Sequence, residues 1–166
     1  AERVDHLVIL LDGGARQDDA RFEASLAEAR RELRAVAAQG GVWSLVLVGE
    51  RPMPVATRWP ATATRLADAA PDLIPGDGAA DWTQAAQAAA LLVREGEATR
   101  VVLVGAGDDD LALARETLPG AVGVGVPVGL DLAITTARVT LGEHPGEWRV
   151  SGAVSMSAGA ALGGGE

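Results

Sequence analysis

The first strong feature of the chain is an almost uninterrupted apolar run over residues 4–11, which ends at Asp12-Gly13-Gly14. A strand with one face in water alternates apolar and polar residues, whereas a continuous run is typical of a strand buried on both faces. Strands of that kind belong to parallel sheets that carry helices on both sides. The run therefore favours an α/β fold, with a turn at the carboxyl end of its first strand.

Apolar runs and helical periodicities alternate along the rest of the first 128 residues. Residues 21–39 carry one apolar stripe of an amphipathic helix, formed by Phe22, Leu26, Ala29, Leu33 and Val36. Further strands are predicted at 42–48, 100–105 and 121–128, with a weaker, proline-containing edge strand at 52–57. Further helices are predicted at 61–70, at 81–94 and from 108 to the residue before Pro119. This alternation predicts a doubly wound, mainly parallel sheet.

The pattern changes after Gly129. Residues 132–141 and 147–156, separated by a turn at 142–146, predict an antiparallel hairpin. In its second arm every other residue lies on one face, namely Trp148, Val150, Gly152, Val154 and Met156. We therefore expect two domains, one over residues 1–128 and one over residues 129–166.

Composition excludes several classes of function. The net charge of −9 repels phosphate backbones, which argues against a nucleic-acid partner. All fourteen basic residues are Arg, and the chain lacks both Lys and Cys. There is therefore no P-loop or Schiff-base lysine, no thiol nucleophile and no thiolate metal site.

No run of apolar residues is long enough for a membrane span, which needs roughly 18 in succession. The chain opens at Ala1-Glu2-Arg3 without Met, and we expect it to be a piece of a longer protein. Any membrane attachment would then lie in flanking segments.

Three predicted loops meet at the carboxyl ends of the strands, where doubly wound sheets bind their ligands. They span residues 12–16, 77–83 and 105–110, and they hold six acids: Asp12, Asp77, Asp81, Asp108, Asp109 and Asp110. Carboxylates grouped in this way suggest a divalent-cation site. The alternative, which the spacing favours, is that the later acids cap helices and face the positive ends of helix dipoles.

The order of these loops resembles a von Willebrand factor A (vWA) domain, most closely the bacterial aerotolerance-regulator type. The matching features are Asp12 at a strand end, the helix-opening segment at 76–82, and a strand at 100–105 followed by Gly and acids. The resemblance implies a vWA fold over residues 4–128. It also implies that residues 131–135 lead into an immunoglobulin-like β-domain, so that 129–166 is either the start of a truncated β-domain or an extra edge of the sheet. The implied location is the extracytoplasmic face of a bacterial membrane, in a membrane-tethered parent protein.

The same resemblance implies that the metal site of this family is lost. That site uses Asp-x-Ser-x-Ser, a Thr from the second loop and an Asp from the third. Here Gly14 and Arg16 stand at the two serine positions. Ala80 and Ala106 stand at the other two, so only Asp12 remains. We therefore expect no metal and no cofactor, and a salt bridge between Asp12 and Arg16.

The leading hypothesis is a non-enzymatic domain that binds another protein through the strand-end face. Its candidate binding residues are Asp12, Gly13, Gly14, Arg16, Asp77, Asp81 and Asp108. A metal-assisted hydrolase or phosphatase that uses Asp12 with Asp108–Asp110 is the first alternative. The second is that an exposed strand of the hairpin pairs with a strand of a partner.

Two further expectations concern single residues. His6, inside the first strand, has no nucleophilic partner at a recognisable spacing and is expected to be a core or edge imidazole. Trp59 and Trp82 lie beside Pro60 and Asp81 and are expected to be partly exposed.

Overall fold

The computed structural model describes residues 2–15, 17–61, 73–76, 78–125, 131–141 and 148–157. Most of the helix predicted at 61–70 lies outside the described residues, as do Arg16 and Asp77. The chain consists of two compact units, Ala1–Val126 and Pro127–Glu166.

The first unit is built around a five-stranded sheet with the order β3-β2-β1-β4-β5. Its strands are β1 (His6–Asp12), β2 (Val42–Val48), β3 (Pro52–Pro60), β4 (Thr99–Val104) and β5 (Val122–Val124). All neighbouring strands are parallel except β2 and β3, which are antiparallel. The predicted doubly wound, mainly parallel sheet is therefore confirmed.

The described helices of this unit are α1 (Asp19–Ala37), α2 (Trp82–Ala90) and α3 (Asp108–Thr117). Helix α1 begins two residues before the predicted start because the carboxylate of Asp18 caps it, accepting the Arg21 N–H at 2.8 Å. Helix α2 ends at Ala90 rather than at 94. Among the described residues, no helix combines the length and the apolar character needed to cross a bilayer.

Strand β1 is the centre of the core. All seven of its residues are buried, and it pairs with β2 on one side and β4 on the other. Leu7, Ile9 and Leu11 pack into a cluster with the apolar stripe of α1. Val8 and Leu10 pack on the opposite face with α2 and α3. The uninterrupted apolar run follows from this two-sided burial.

Strand β3 is the antiparallel edge of the sheet and extends to Pro60, three residues beyond the prediction. Proline lacks an N–H donor and is tolerated at such an edge. Trp59, near the end of β3, is 39% exposed and makes an edge-to-face contact with buried Trp43, with ring centroids 5.6 Å apart. The expectation for Trp59 is therefore confirmed. The expectation for Trp82 is wrong: it is 3% exposed, since it packs between α2 and the sheet.

The second unit contains the predicted hairpin, formed by β6 (Asp131–Leu141) and β7 (Trp148–Ser157). The register shifts between Ile134 and Thr136, which is the mark of one extra residue in β6. Because of this shift, apolar residues of β6 on both sides of it stay opposite apolar residues of β7. The hairpin is therefore confirmed as an antiparallel pair.

Two leucines provide a matched test of this core. Leu26 on α1 is 2% exposed, whereas Leu91 after α2 is 88% exposed. We expect Leu26→Ala to lower the free energy of unfolding by about 2–5 kcal/mol, because it leaves a cavity between α1 and the sheet. Leu91→Ala is expected to change it by less than about 0.5 kcal/mol. Urea unfolding of both variants measures the difference. An equal decrease in the free energy of unfolding in the two variants would contradict the packing described for α1.

Candidate functional site

The site at the carboxyl ends of the strands is organised by Asp12, the last residue of β1. The residue is 6% exposed, and its carboxylate accepts hydrogen bonds from two described residues. The Gly14 N–H donates to Oδ1 at 2.9 Å, and the side-chain amide of Gln17 donates to Oδ2 at 3.0 Å. Both bonds come from the loop that follows the strand, so the carboxylate holds that loop in a turn.

The second loop lies directly against the first. The Ala15 N–H donates to the carbonyl of Gly78 at 2.8 Å. A Cβ atom at residue 14 would lie 2.9 Å from the backbone nitrogen of Ala80, closer than packed atoms approach. Glycine at position 14 is therefore needed for the close contact between the two loops.

Gly105 brings the third loop to the same place. It follows β4, has a φ of +86°, and a Cβ there would lie 2.9 Å from the Cβ of Asp12. Both the left-handed backbone and the close approach require glycine. Strands β1 and β4 are neighbours, and the chain turns from one half of the sheet to the other between them. The three loops therefore meet at the switch point, where ligands of doubly wound folds bind.

The acids that open α2 and α3 are largely used within the chain. Asp81 is the N-cap of α2: its Oδ1 accepts the Gln84 N–H and its Oδ2 accepts the Gln84 side-chain amide, both at 2.9 Å. In α3 the N-cap is Gly107, and Asp110 accepts the Gly107 N–H at 2.9 Å. The helix-cap interpretation is confirmed for Asp81. For 108–110 it is confirmed in part: the N-cap residue itself is Gly107, but all three acids lie in the first turn, at the positive end of the helix dipole, and Asp110 accepts the N–H of the N-cap residue.

A cavity of about 320 Å³ opens between the three loops. The described residues that line it are Asp12, Gly14, Ala15, Ala79, Ala80, Trp82 and Asp110. Of the predicted site residues, Asp12 and Gly14 line this cavity. Gly13 is buried against Leu47, Asp81 and Asp108 lie outside the lining, and Arg16 and Asp77 lie outside the described residues.

The described part of the lining offers few ligands for a hard cation. Mg²⁺ demands an octahedron of oxygen ligands, and Ca²⁺ takes six to eight. Among the residues that the structure describes, the lining side chains supply two carboxylates and no hydroxyl or amide oxygen. Across the described ranges, no three His, Asp or Glu residues are grouped closely enough to share a metal ion. That arrangement gives no support to a metal-assisted hydrolase that uses Asp12 with 108–110.

Sequence reasoning missed Gln17 and Trp82 as parts of the site. Gln17 orients the Asp12 carboxylate and in turn accepts a hydrogen bond from Ser25 of α1 at 3.4 Å. No local motif marks this glutamine. For Trp82, its position immediately after the N-cap Asp81 was a usable signal, because the start of α2 lies at the strand-end loops, where the Asp81 N–H donates to the carbonyl of Gly49.

Comparison with solved structures shows that the fold is that of a vWA domain. A von Willebrand factor type A protein from Catenulispora acidiphila matches 72% of this chain with a TM-score of 0.53 and 15% identity. The VWA domain of SpRpn10 matches 72% of this chain and 72% of its own, with a TM-score of 0.52 and 18% identity. The chain spans about a third (32%) of the length of the Catenulispora protein. The vWA fold implied by the sequence resemblance is therefore confirmed.

A third similarity, with a TM-score of 0.48 and 15% identity, is to an aerotolerance-related membrane protein from Bacteroides fragilis. It covers 95% of this chain and 83% of that one. No protein-family model matches the chain, and no curated protein matches it.

Substitution of Asp12 tests its role in holding the loop. We expect Asp12→Ala to lower the free energy of unfolding by about 1–3 kcal/mol, because it leaves the buried Gly14 N–H without its acceptor. Asp12→Asn keeps one oxygen acceptor and is expected to cost less. Urea unfolding of the two variants measures both effects. Wild-type stability of Asp12→Ala would contradict the role assigned to this carboxylate.

Proposed function

We propose that the vWA-like unit is a non-enzymatic domain that binds another protein through its strand-end face, without a metal ion. The observation that carries the proposal is the environment of Asp12. Its carboxylate is buried and accepts hydrogen bonds from Gly14 and Gln17, and the cavity beside it is lined mainly by small apolar residues. Such a cavity can receive a partner side chain but offers few ligands to a cation.

The charges on this face favour a partner of opposite charge. Glu50 and Asp108 are exposed and Asp81 is half-buried, and all three lie on elements or loops that end at the carboxyl side of the sheet. Asp12 is almost fully buried, so it shapes the face rather than contributing surface charge. Arg16 and Asp77 remain candidate contacts by their positions in the sequence. Complementary charge at the rim of an interface accelerates association and sets specificity.

The cellular setting follows from the sequence resemblance. We propose that the chain belongs to a membrane-tethered bacterial protein and lies on the extracytoplasmic side. The hairpin of β6 and β7 would then begin an immunoglobulin-like β-domain. A two-stranded hairpin is only marginally stable by itself, which favours further strands or another covering layer around it.

Affinity capture with matched charge variants tests the proposal. The immobilised chain is incubated with solubilised bacterial membrane proteins, once with EDTA and once with Mg²⁺. A partner is expected to be retained equally well with EDTA and with Mg²⁺. The variant Glu50→Gln/Asp81→Asn/Asp108→Asn is expected to weaken its binding roughly tenfold, which corresponds to about 1.4 kcal/mol. Asn at residue 81 still caps α2, so the fold is preserved.

The control variant removes three exposed acids from the opposite end of the unit: Glu2→Gln/Glu95→Gln/Glu116→Gln. It has the same change in net charge and is expected to bind as the wild type does. Retention of the partner only in the presence of Mg²⁺, or an equal loss of partner binding in both variants, would overturn the proposal.

A further inference from the structure

A group of polar side chains is buried at the amino end of β1, the end opposite Asp12. His6, the first residue of β1, and Ser44 of β2 are both fully buried. The His6 Nε2 atom lies 2.8 Å from the Ser44 Oγ atom. Buried polar groups are stable only when they are hydrogen-bonded, so the partners of this pair determine how firmly the region is held.

Arg58 of the edge strand β3 supplies those partners. Where β2 has Ser44 alone, β3 has the two residues Thr57 and Arg58, which form a bulge. The Arg58 N–H donates to Ser44 Oγ at 2.9 Å. Its guanidinium Nη1 lies 3.1 Å from His6 Nδ1, and its Nη2 donates to Glu97 in the segment before β4.

The backbone of Arg58 shows that these bonds hold it in place. Its φ is +54°, a left-handed conformation that a non-glycine residue adopts at a cost. Such a conformation persists where the surroundings over-determine it. Here the side chain links β1, β3 and the 91–98 segment, whose Leu92 carbonyl also lies 3.5 Å from Nη1. Without these hydrogen bonds, nothing among the described contacts would offset the cost of the left-handed backbone at the bulge.

The hydrogen-bond donors around His6 determine which tautomer its neutral imidazole adopts. Arginine only donates, so Nδ1 of His6 must accept, and the imidazole proton must lie on Nε2. Nε2 then donates to Ser44, and the lone pair of the imidazole, on Nδ1, faces Arg58 and cannot activate that hydroxyl. The close His–Ser pair is therefore structural, which agrees with the expectation that His6 is a core imidazole.

Burial and nearby charge both oppose protonation of His6. Burial lowers its pKa below 6.5, and the positive charge of Arg58 lowers the pKa further. Glu97 acts in the opposite direction, and Arg94 adds a smaller lowering effect. The hydrogen bond from Arg58 also lowers the pKa of Glu97, so Glu97 remains an anion beside the guanidinium.

We propose that His6, Arg58 and Glu97 form an acid-sensitive latch: protonation of His6 releases the end of β3 and the 91–98 segment while the central strands remain folded. A protonated imidazole can no longer accept at Nδ1 and would face a guanidinium at 3.1 Å. Arg58 relieves this repulsion by moving outward. Its side chain is 22% exposed, and β3 pairs with the described sheet along only one edge, so the movement leaves β1 and β2 intact.

The direction of the pH effect follows from the lowered pKa of His6. Below pH 6.5 the unfolded or opened chain binds a proton that the closed latch does not. The stabilising contribution of the closed latch is therefore complete above pH 6.5 and is lost as the pH falls below it. The pKa of Glu97 is also lowered, so protonation of Glu97 causes a second loss of stability, but only below pH 4.5.

Imidazole ¹⁵N NMR of the wild-type chain tests the geometry. The chain has only two histidines, and the variant His144→Gln assigns their signals. His6 is expected to be the Nε2–H tautomer and to titrate below pH 6.5. An Nδ1–H tautomer, or titration at 6.5 or above, would overturn the proposal even if no His6 variant folds.

Hydrogen exchange at pH 7.5 and pH 5.0, corrected for the intrinsic pH dependence of exchange, tests the release. Opening of residues 57–61 and 91–98 is expected to rise at pH 5.0, by up to roughly tenfold for each unit of pKa difference. Residues 6–12 are expected to stay protected. The Gln side chain of His6→Gln keeps a donor and an acceptor but cannot be protonated. In this variant the corrected hydrogen exchange of the two segments should therefore be the same at pH 7.5 and pH 5.0. The same rise in His6→Gln, or equal opening of β1, would contradict the latch.

Discussion

Burial of β1 is the constraint on which the rest of the first unit depends. Each of its seven residues is buried, its two edges pair with β2 and β4, and its two faces pack against helices. A strand with no contact with water admits polar groups only at its ends, and each must find hydrogen bonds there. Asp12 and His6 are those two groups. One organises the strand-end loops and the other joins the edge strand to the core.

The two ends show how similar buried groups serve different purposes. Asp12 accepts hydrogen bonds from its own loop, Gly14 lies close to Ala80, and Gly105 lies close to Asp12. Gly14 and Ala80 line the cavity there. His6 and Ser44 instead take bonds from Arg58, a residue distant in sequence. In the proposed function, the first arrangement provides a preformed surface for a partner. The second makes the attachment of β3 depend on the charge of one imidazole.

The sequence predicted the elements that follow from local patterns. Continuous apolar runs located β1, β2 and β4, the helical stripe located α1, and the position of Asp81 before α2 predicted its N-cap. The exposure of Trp82 and the identity of the N-cap residue of α3, which is Gly107, were predicted wrongly, because both depend on how a helix end meets the sheet. Gln17 and Arg58 act on residues in other elements, so no local pattern marks them. The polar residues His6 and Ser44 within apolar strands were a signal only that each needs a buried hydrogen-bond partner.

The central claim, that the strand-end face works without a divalent cation, is tested most directly by isothermal titration calorimetry. The metal-stripped chain is titrated with Mg²⁺, Mn²⁺ and Ca²⁺, with Asp12→Ala as the control. No saturable binding with a Kd below about 1 mM is expected for any of the three ions, a limit that corresponds to about −4 kcal/mol. Saturable binding with a Kd below that limit in the wild type, if it is lost in Asp12→Ala, would contradict the claim that this face works without a divalent cation.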